Sequence, residues 1–379
     1  MAYAGLGHYG IDTNTAYVDV SEVLAWILKT DTTLIGLIGA GEAAEDPNFY
    51  WIEESLRPDT VTMSDTGGIS NADATVNVAT GHGLRCRVPC LLRNMTEVGK
   101  TELILVTAIS ADALTITRGY GNTTGEAHSD ASVFQILFPE EEGSAPNTSW
   151  TQNRSRVVNC TYIYDRTLSI SGTQQKAKMY AVVDEMAHQI EGRTYEIKRE
   201  MDFNLINGVY YSSAASGTAR TAKGIIEFIS NDFAFTSCNA DTDSEALDHA
   251  VVNGLVAMID PYENAEPNLL VAGSTLCRKI STWGENYIRI DRTDSQRGNY
   301  VTSFLTDTGV VLNIVKDNNC PPGVVLVLDS NRIKTRPYRP LFIKEYDNGN
   351  DAIERRIIEE SSFEVRNATE AHGIATNKT

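Results

Sequence analysis

One long stretch of helical periodicity, over residues 171–208, restricts the fold more than any other feature of the sequence. Ser171 or Thr173 can cap its start, and Gly208 can end it. A continuous helix of about 35 residues would be roughly 52 Å long, against a usual helix length of about 11 to 12 residues. Apart from a gap at residues 193–194, one face carries the apolar positions Met179, Val183, Met186, Ile190, Ile197, Met201 and Leu205.

The periodicity predicts one helix over residues 175–208, with a bend or an interruption at Gly192. A helix of this length needs a sheet or neighbouring chains along it to cover its apolar face. The side chains predicted to face that sheet are Met179, Val183, Met186 and Ile190.

The rest of the chain divides by its periodicity. Residues 1–20 resemble an arm, and a short helix follows from Ser21. From about 51 to 138, short β-rich runs separated by turn residues predict a small β-barrel or sandwich. From about 212 to 320, helices and strands alternate as in an α/β domain, and a last strand region follows at 354–374.

A glycine-rich stretch, "RGYGNTTGEAH" (118–128), raises the question of a phosphate-binding loop. Such a loop must follow a strand and begin a helix, so that backbone N–H groups face the anion. A strand pattern precedes the stretch, but "SVFQILF" after it predicts a second strand. Glycine and asparagine supply the positive φ angles of a hairpin, so we interpret the stretch as a turn.

Two histidine-containing groups are weak candidates for metal ligands. His82, Cys86 and Cys90 stand at steps of four, but Gly83 and Pro89 disfavour a helix there and no fourth ligand is evident. His188 lies between Glu185 and Glu191 on the long helical segment, without a second copy of the motif. Buried cysteines and a solvated helix face are the simpler interpretations, so no metal, cofactor or catalytic residue is predicted.

The composition limits the compartment and the partners. The formal net charge is −18, and no run of basic residues indicates a nucleic-acid groove. No stretch reaches the roughly 18 apolar residues of a membrane span, and the start lacks the pattern of a secretory signal. Six scattered cysteines favour a reducing cytoplasm over a disulfide scaffold.

The order of these parts resembles the major capsid proteins of tailed bacteriophages. The arm, the β excursion, the long helix, the α/β domain and the closing β segment follow one another as in the Hong Kong 97-type fold. The strings that sharpen the resemblance are "WIEESLRPDTVTM" (51–63), "ALTITRGYGNTTGEAHSDASVF" (113–134), "LSISGTQQKAKMYAVVDEMAHQI" (168–190), "LVLDSNRIKTRPYRP" (326–340) and "SSFEVRNATEAHGI" (361–374).

The resemblance implies an α+β chain of the Hong Kong 97-type phage capsid fold with an inserted small β domain. It implies an N-terminal arm and short helix at 1–46, and an extended loop at 47–171 with a β-barrel-like insertion at about 58–138. It places a peripheral domain, with the long helix as its spine, at 172–215 plus 325–379. The remaining residues, 216–324, would form the axial domain at the capsomer centre.

The implied function is a major capsid protein whose pentamers and hexamers form an icosahedral head around double-stranded DNA. Its implied partners are copies of itself, a portal, a separate scaffold, decoration proteins and DNA bound without sequence specificity, with no membrane. Assembly is expected in the host bacterial cytoplasm. The alternatives are an encapsulin-like compartment and an α/β enzyme with an unrecognised active site.

Aromatic residues in the arm and the extended loop are expected to join subunits, because obligate interfaces are rich in aromatics. The predicted inter-subunit contacts are Tyr17, Trp26, Phe49, Tyr50, Trp51 and Arg57. We expect alanine at Trp51 and Arg57 to weaken assembly while the axial domain stays folded. Because no long charged helical prefix is present, we also expect the chain to stay uncut from near Met1.

Overall fold

The computed structural model describes residues 33–54, 56–140, 142–143, 154–176, 184–212, 217–230, 235, 238–261, 264–283, 302–347, 349 and 351–379. The chain forms two compact units, and they are described separately. The core unit comprises residues 1–51 and 156–379, and the β unit comprises residues 52–155. The chain passes from one to the other along two paired strands, β2 (Asn48–Glu54) and β9 (Arg154–Cys160).

The α-helices of the described residues all lie in the core unit. They are α1 (Thr33–Leu37), α2 (Gly172–Lys176), α3 (Glu185–Asn207), α4 (Ile225–Ile229), α5 (His249–Ile259), α6 (Ser274–Thr282) and α7 (Ala368–Ala371). Within this part of the chain, no helix is long and apolar enough to cross a membrane.

The spine helix α3 is shorter than the sequence pattern predicts. Asp184 has an extended backbone (φ −132°) and acts as the N-cap, because its carboxylate accepts hydrogen bonds from the N–H groups of Met186 and Ala187. The helix passes through Gly192 and ends before Gly208, as expected. The prediction of one helix from residue 175 was therefore wrong, and the break lies at Asp184 rather than at Gly192. Two predicted core positions, Met179 and Val183, lie outside the described residues.

The spine helix packs on a four-stranded sheet. Met186 is buried, and Ile190 lies partly buried against the same apolar cluster, which includes Tyr164 and Ile357. The sheet has the order β1 (Gly39–Ala40), β16 (Ile333–Tyr346), β17 (Ala352–Val365) and β10 (Tyr162–Ser171). The long β16–β17 hairpin is antiparallel, with register shifts after Pro337 and Arg339.

A mixed six-stranded sheet forms the other half of the core unit. Its order is β11 (Asn239–Asp241), β18 (Gly373–Ala375), β15 (Val325–Leu328), β12 (Leu269–Ala272), β14 (Val311–Lys316) and β13 (Ser303–Leu305). Apolar clusters cover both of its faces, so β12 and β15 are buried throughout. The sheet contains strands from both sides of the expected boundary at 324/325, and the names peripheral and axial remain assignments by resemblance.

The β unit is a closed antiparallel barrel. Its strand order is β3 (Thr60–Thr62), β8 (Val133–Leu137), β5 (Cys90–Asn94), β6 (Leu103–Ser110), β7 (Ala113–Thr117) and β4 (Thr75–Asn77). A bridge between Met63 and Val78 joins the first strand to the last, with Ser64 N–H donating to Asn77 O at 2.9 Å. The inward residues form one separate apolar core. Of the two expected architectures, the barrel is therefore the correct one.

Candidate functional site

The glycine-rich stretch is a turn between two strands. It follows β7, makes a single 3-10 turn at Tyr120–Asn122, and leads to β8 without starting an α-helix. Gly119, Gly121 and Asn122 have φ angles of 65°, 68° and 65°, in the left-handed region that glycine and asparagine tolerate best. The predicted turn is confirmed.

A buried carboxylate, Glu102 directly before β6, organises this turn. Its side chain is completely buried, and both its oxygens accept from the Arg118 guanidinium, at 2.8 and 2.6 Å. The backbone N–H groups of Gly119 and Glu126 donate to it at 3.0 and 2.9 Å, and His128 Nε2 lies 3.1 Å away. Because these N–H groups already donate to Glu102, they do not form an open cradle for a phosphate.

A second carboxylate, Glu97, continues this network from the other side of His128. Asn94 Nδ2 lies 2.9 Å from His128 Nδ1 and donates to Glu97 at 2.8 Å. Lys100 and the Ser129 hydroxyl also donate to Glu97, at 3.1 and 2.8 Å. His128 Nε2 faces Glu102, and His128 Nδ1 faces both Asn94 and Glu97, with Glu97 Oε2 3.4 Å away. The turn is therefore held by a connected polar network beside the apolar barrel core.

Both carboxyl groups have strongly lowered pKa values. Burial raises the pKa of Glu102, but the hydrogen bonds from Arg118, from the N–H groups of Glu126 and Gly119, and from His128 outweigh it, so the pKa falls to about 2. Burial likewise opposes the lowering at Glu97, where hydrogen bonds from Ser129 and Lys100 bring the pKa to about 2. Both groups are therefore ionised in the folded barrel at neutral pH.

We expect acid to loosen the turn before it opens the rest of the chain. A folded-state pKa below the ordinary 4.5 gives stability that is present above pH 4.5 and is lost as the pH falls towards 2. Hydrogen–deuterium exchange, corrected for intrinsic rates, should show constant protection of residues 118–128 from pH 7 to 5 and declining protection below about 4.5. Peptides covering β12 serve as the internal reference. Equal protection of both regions down to pH 2.5 would contradict the expectation.

The candidate metal ligands have other partners in the fold. His82 Nδ1 accepts from the Thr62 N–H at 3.0 Å, and Cys86 and Cys90 are buried in the barrel core. A hydrogen bond to Cys90, together with burial, raises the pKa of the Cys86 thiol. On α3, Glu185 accepts from Gln189 at 2.7 Å. Among the residues that the structure describes, no cluster of three or more His, Cys, Asp or Glu side chains could hold a metal ion.

The aromatic run in β2 alternates between the core and the surface. Phe49 and Trp51 are buried in the core unit, and the Trp51 ring lies 5.6 Å from that of Phe228. Tyr50 points the other way, is 49% exposed, and carries the Arg156 guanidinium 4.5 Å above its ring. Both side chains are therefore covered mainly by their own chain, and their predicted inter-subunit role stays a prediction.

The remaining predicted contacts are distributed differently. Arg57 lies 5.2 Å from the ring centre of Phe138, and Arg87 lies 4.8 Å from the same ring. Tyr17 and Trp26 lie outside the described residues. The inter-subunit roles of Tyr50, Arg57, Tyr17 and Trp26 all stay predictions.

Sequence reasoning also missed the buried carboxylate of Glu360 in β17. It accepts from Thr161 at 2.6 Å, from Arg220 at 2.9 Å and from Arg339 at 2.7 Å. These donors come from three distant segments, so no local motif indicates the network. The only signal is "IIEESSF" (357–363), a run of polar residues inside a strand bounded by apolar residues.

A family model for the SU10 major capsid protein matches residues 7–379 of this chain. The chain belongs to the SU10 major capsid protein family. This capsid protein is therefore a structural component of the virion shell that assembles with copies of itself. The expected family is confirmed, and the alternative of an α/β enzyme is excluded.

Solved capsids share the fold of the capsid protein. The capsid of an empty GTA particle is similar over 97% of each chain, with a TM-score of 0.54 and 10% identity. A solved structure from Microbacterium phage Oxtober96 is similar over 96% of each chain, with a TM-score of 0.50 and 10% identity. At these identities the likeness shows the fold alone, and it confirms the Hong Kong 97-type assignment.

The encapsulin comparison is weaker. The holo-SrpI encapsulin complex of Synechococcus elongatus covers 60% of the capsid protein and 78% of its own chain, with 14% identity and a TM-score of 0.43. That similarity carries no argument for a cargo compartment. A search of curated protein sequences found no match.

Proposed function

We propose that the capsid protein forms pentamers and hexamers that close into an icosahedral head around double-stranded DNA. The observation that carries the proposal is the family match over residues 7–379, on a chain whose folded parts are those of a capsid subunit. The proposed partners are a portal, a separate scaffold and decoration proteins, with assembly in the host bacterial cytoplasm. In this scheme 172–215 with 325–379 act as the peripheral domain and 216–324 as the axial domain.

Charge supports a proposed weak contact with DNA. The chain carries a formal charge of −18, and it lacks a run of basic residues. Phosphate contacts by Lys and Arg supply most nonspecific affinity for DNA, so an acidic inner wall would hold packaged DNA loosely. Contacts between subunits, rather than contacts with DNA, then carry the cohesion of the shell.

The test is to express the full chain alone and together with the head-assembly proteins of its own phage, and to image the particles by cryo-electron microscopy. We expect closed shells in at least one of the two conditions, with five-fold and six-fold clusters of subunits. DNA inside filled particles should resist nuclease. Soluble monomers in both conditions, or open filaments, would contradict the proposal.

A further inference from the structure

The outer face of α5 lacks the charges expected of a solvated helix. Its sequence, "HAVVNGLVAMI", has His249 as its only titratable side chain. One side packs on the six-stranded sheet, while Ala250, Ala257 and Met258 are exposed, Met258 by 44%. The neighbouring α6 covers the same sheet face but presents polar side chains to solvent, among them Arg278. A solvated helix face normally carries charged or polar side chains, so the uncharged exposed face of α5 is a candidate contact surface.

A cleft lies along this face of α5, beside the edge strand β11. It measures about 430 Å³, and its lining includes Asp241 and Glu245, the α5 N-cap Asp248, and Gly254 and Met258. A Cβ atom built on Gly254 would meet no atom within 4 Å, so the cleft is open beside Gly254. Within the described residues β11 pairs only with β18, so it is the edge strand of this sheet.

The opposite edge of the sheet carries an apolar projection. Leu305 in β13 and Val311 in β14 are direct cross-strand partners, exposed by 65% and 53%. Cross-strand partners share a face, so the two side chains form one apolar pair on this edge hairpin. In the part of the chain that is described, β13 pairs only with β14.

The two features lie on opposite faces of the sheet as well as at opposite edges. Phe304 and Leu312 belong to the cluster that α5 and α6 cover, so their neighbours Leu305 and Val311 face the other way. Val315, which shares its face with Val311, packs in the other cluster. Consider two adjacent copies whose six-stranded sheets have the same orientation, with the β13 edge of one overlapping the β11 edge of the other. Leu305 and Val311 of the first copy would then lie over the α5 cleft of the second.

We propose that the β13–β14 hairpin of one copy, through Leu305 and Val311, occupies the α5–β11 cleft of the adjacent copy. The contact is head-to-tail, and a head-to-tail contact repeated by rotation closes into rings. The occupant is a second copy because this family builds its shell from copies of one chain. The inference rests on the proposed pentamers and hexamers and names the surfaces that hold neighbours together within them.

Paired cysteines test the contact directly. The full chain with both Gly254→Cys and Leu305→Cys is assembled and oxidised with copper phenanthroline. We expect a ladder of disulfide-linked species up to five and six chains on a denaturing gel. Wild type and each single variant should remain monomeric, because the native cysteines of the described residues are mostly buried. Assembled double-variant shells that give no ladder, or an equal ladder from a single variant, would overturn the inference.

Charged substitutions provide an independent readout. Met258→Glu and Leu305→Glu should each lower the yield of closed shells at least tenfold, while circular dichroism of the soluble chain stays unchanged. Thr275→Glu is the matched control and should assemble as wild type, because Thr275 is exposed in the first turn of α6, where a carboxylate suits the helix dipole. Normal shells from both of the other glutamate variants would refute the head-to-tail contact and leave the proposed function intact. A wild-type chain that forms no shells, either alone or with the head-assembly proteins of its phage, would refute both the head-to-tail contact and the proposed function.

Discussion

Replacing Glu102 with alanine is expected to lower the unfolding free energy of the β unit by about 3–5 kcal/mol. The change removes the partner of Arg118, whose side chain is only 10% exposed, and of the buried His128. It also leaves the N–H groups of Gly119 and Glu126 without their acceptor. A buried charge that loses its partner keeps the full penalty of leaving water, which is why the effect is large.

The measurement is urea unfolding of the full chain. Limited proteolysis within residues 52–155 detects the unfolding of the β unit at each urea concentration. Asp59→Ala is the control, because it removes a carboxylate of the same unit whose hydrogen bond from Gln135 is exposed to solvent. Its effect should stay within about 0.5 kcal/mol. If the Glu102 and Asp59 variants unfold at the same urea concentration, Glu102 does not hold the turn.

Replacing Trp51 with alanine is expected to destabilise the core unit by about 3–5 kcal/mol, as large-to-small changes in a core do. The ring is 8% exposed and contacts Phe49 and Phe228, with centroids 6.0 and 5.6 Å away. The sequence-based expectation was weaker assembly with a folded axial domain, and this result would add a loss of stability in the core unit. Thermal unfolding and the soluble yield of the unassembled chain are the measurements.

Tyr50→Ala is the matched variant, one residue away on the other face of the same strand. We expect it to fold with nearly wild-type stability, because the side chain is 49% exposed. Under the proposed subunit contact, its loss should appear as fewer closed shells. A Trp51 variant that is as stable as wild type but fails to assemble would contradict this expectation and support an inter-subunit role for Trp51.

Patterns of residue order and period identified the fold, but they located its boundaries less well. The apolar periodicity correctly predicted the end of the spine helix at Gly208. It also predicted that the helix continues through Asp184, which is in fact the N-cap of α3. Aspartate directly before an apolar run is an N-cap signal, and it competes with a continuous helix. In β2, the strand period of two places Phe49 and Trp51 on one face and Tyr50 on the other. The burial of Phe49 and Trp51 could therefore have been predicted from the sequence.

The polar networks were beyond reach for a different reason. Glu102 meets partners 16 to 26 residues away, and Glu360 meets Thr161 across 199 residues. Such contacts depend on how strands pair, which a single sequence does not state. The exposed face of α5 could not be predicted for the same reason. Whether an apolar helix face is exposed depends on which neighbouring elements cover it in the folded chain.

The paired strands β2 and β9 make the barrel a replaceable module. Its apolar core shares no residue with the clusters of the core unit, and its two ends meet where Ser155 donates to the Glu53 carbonyl and Arg154 pairs with Glu54 at 2.8 Å. Insertions are tolerated where entry and exit lie close together. Evolution or engineering could therefore shorten this segment to a plain hairpin, or exchange it for a foreign antigen, without changing the amino-acid sequence of the core unit.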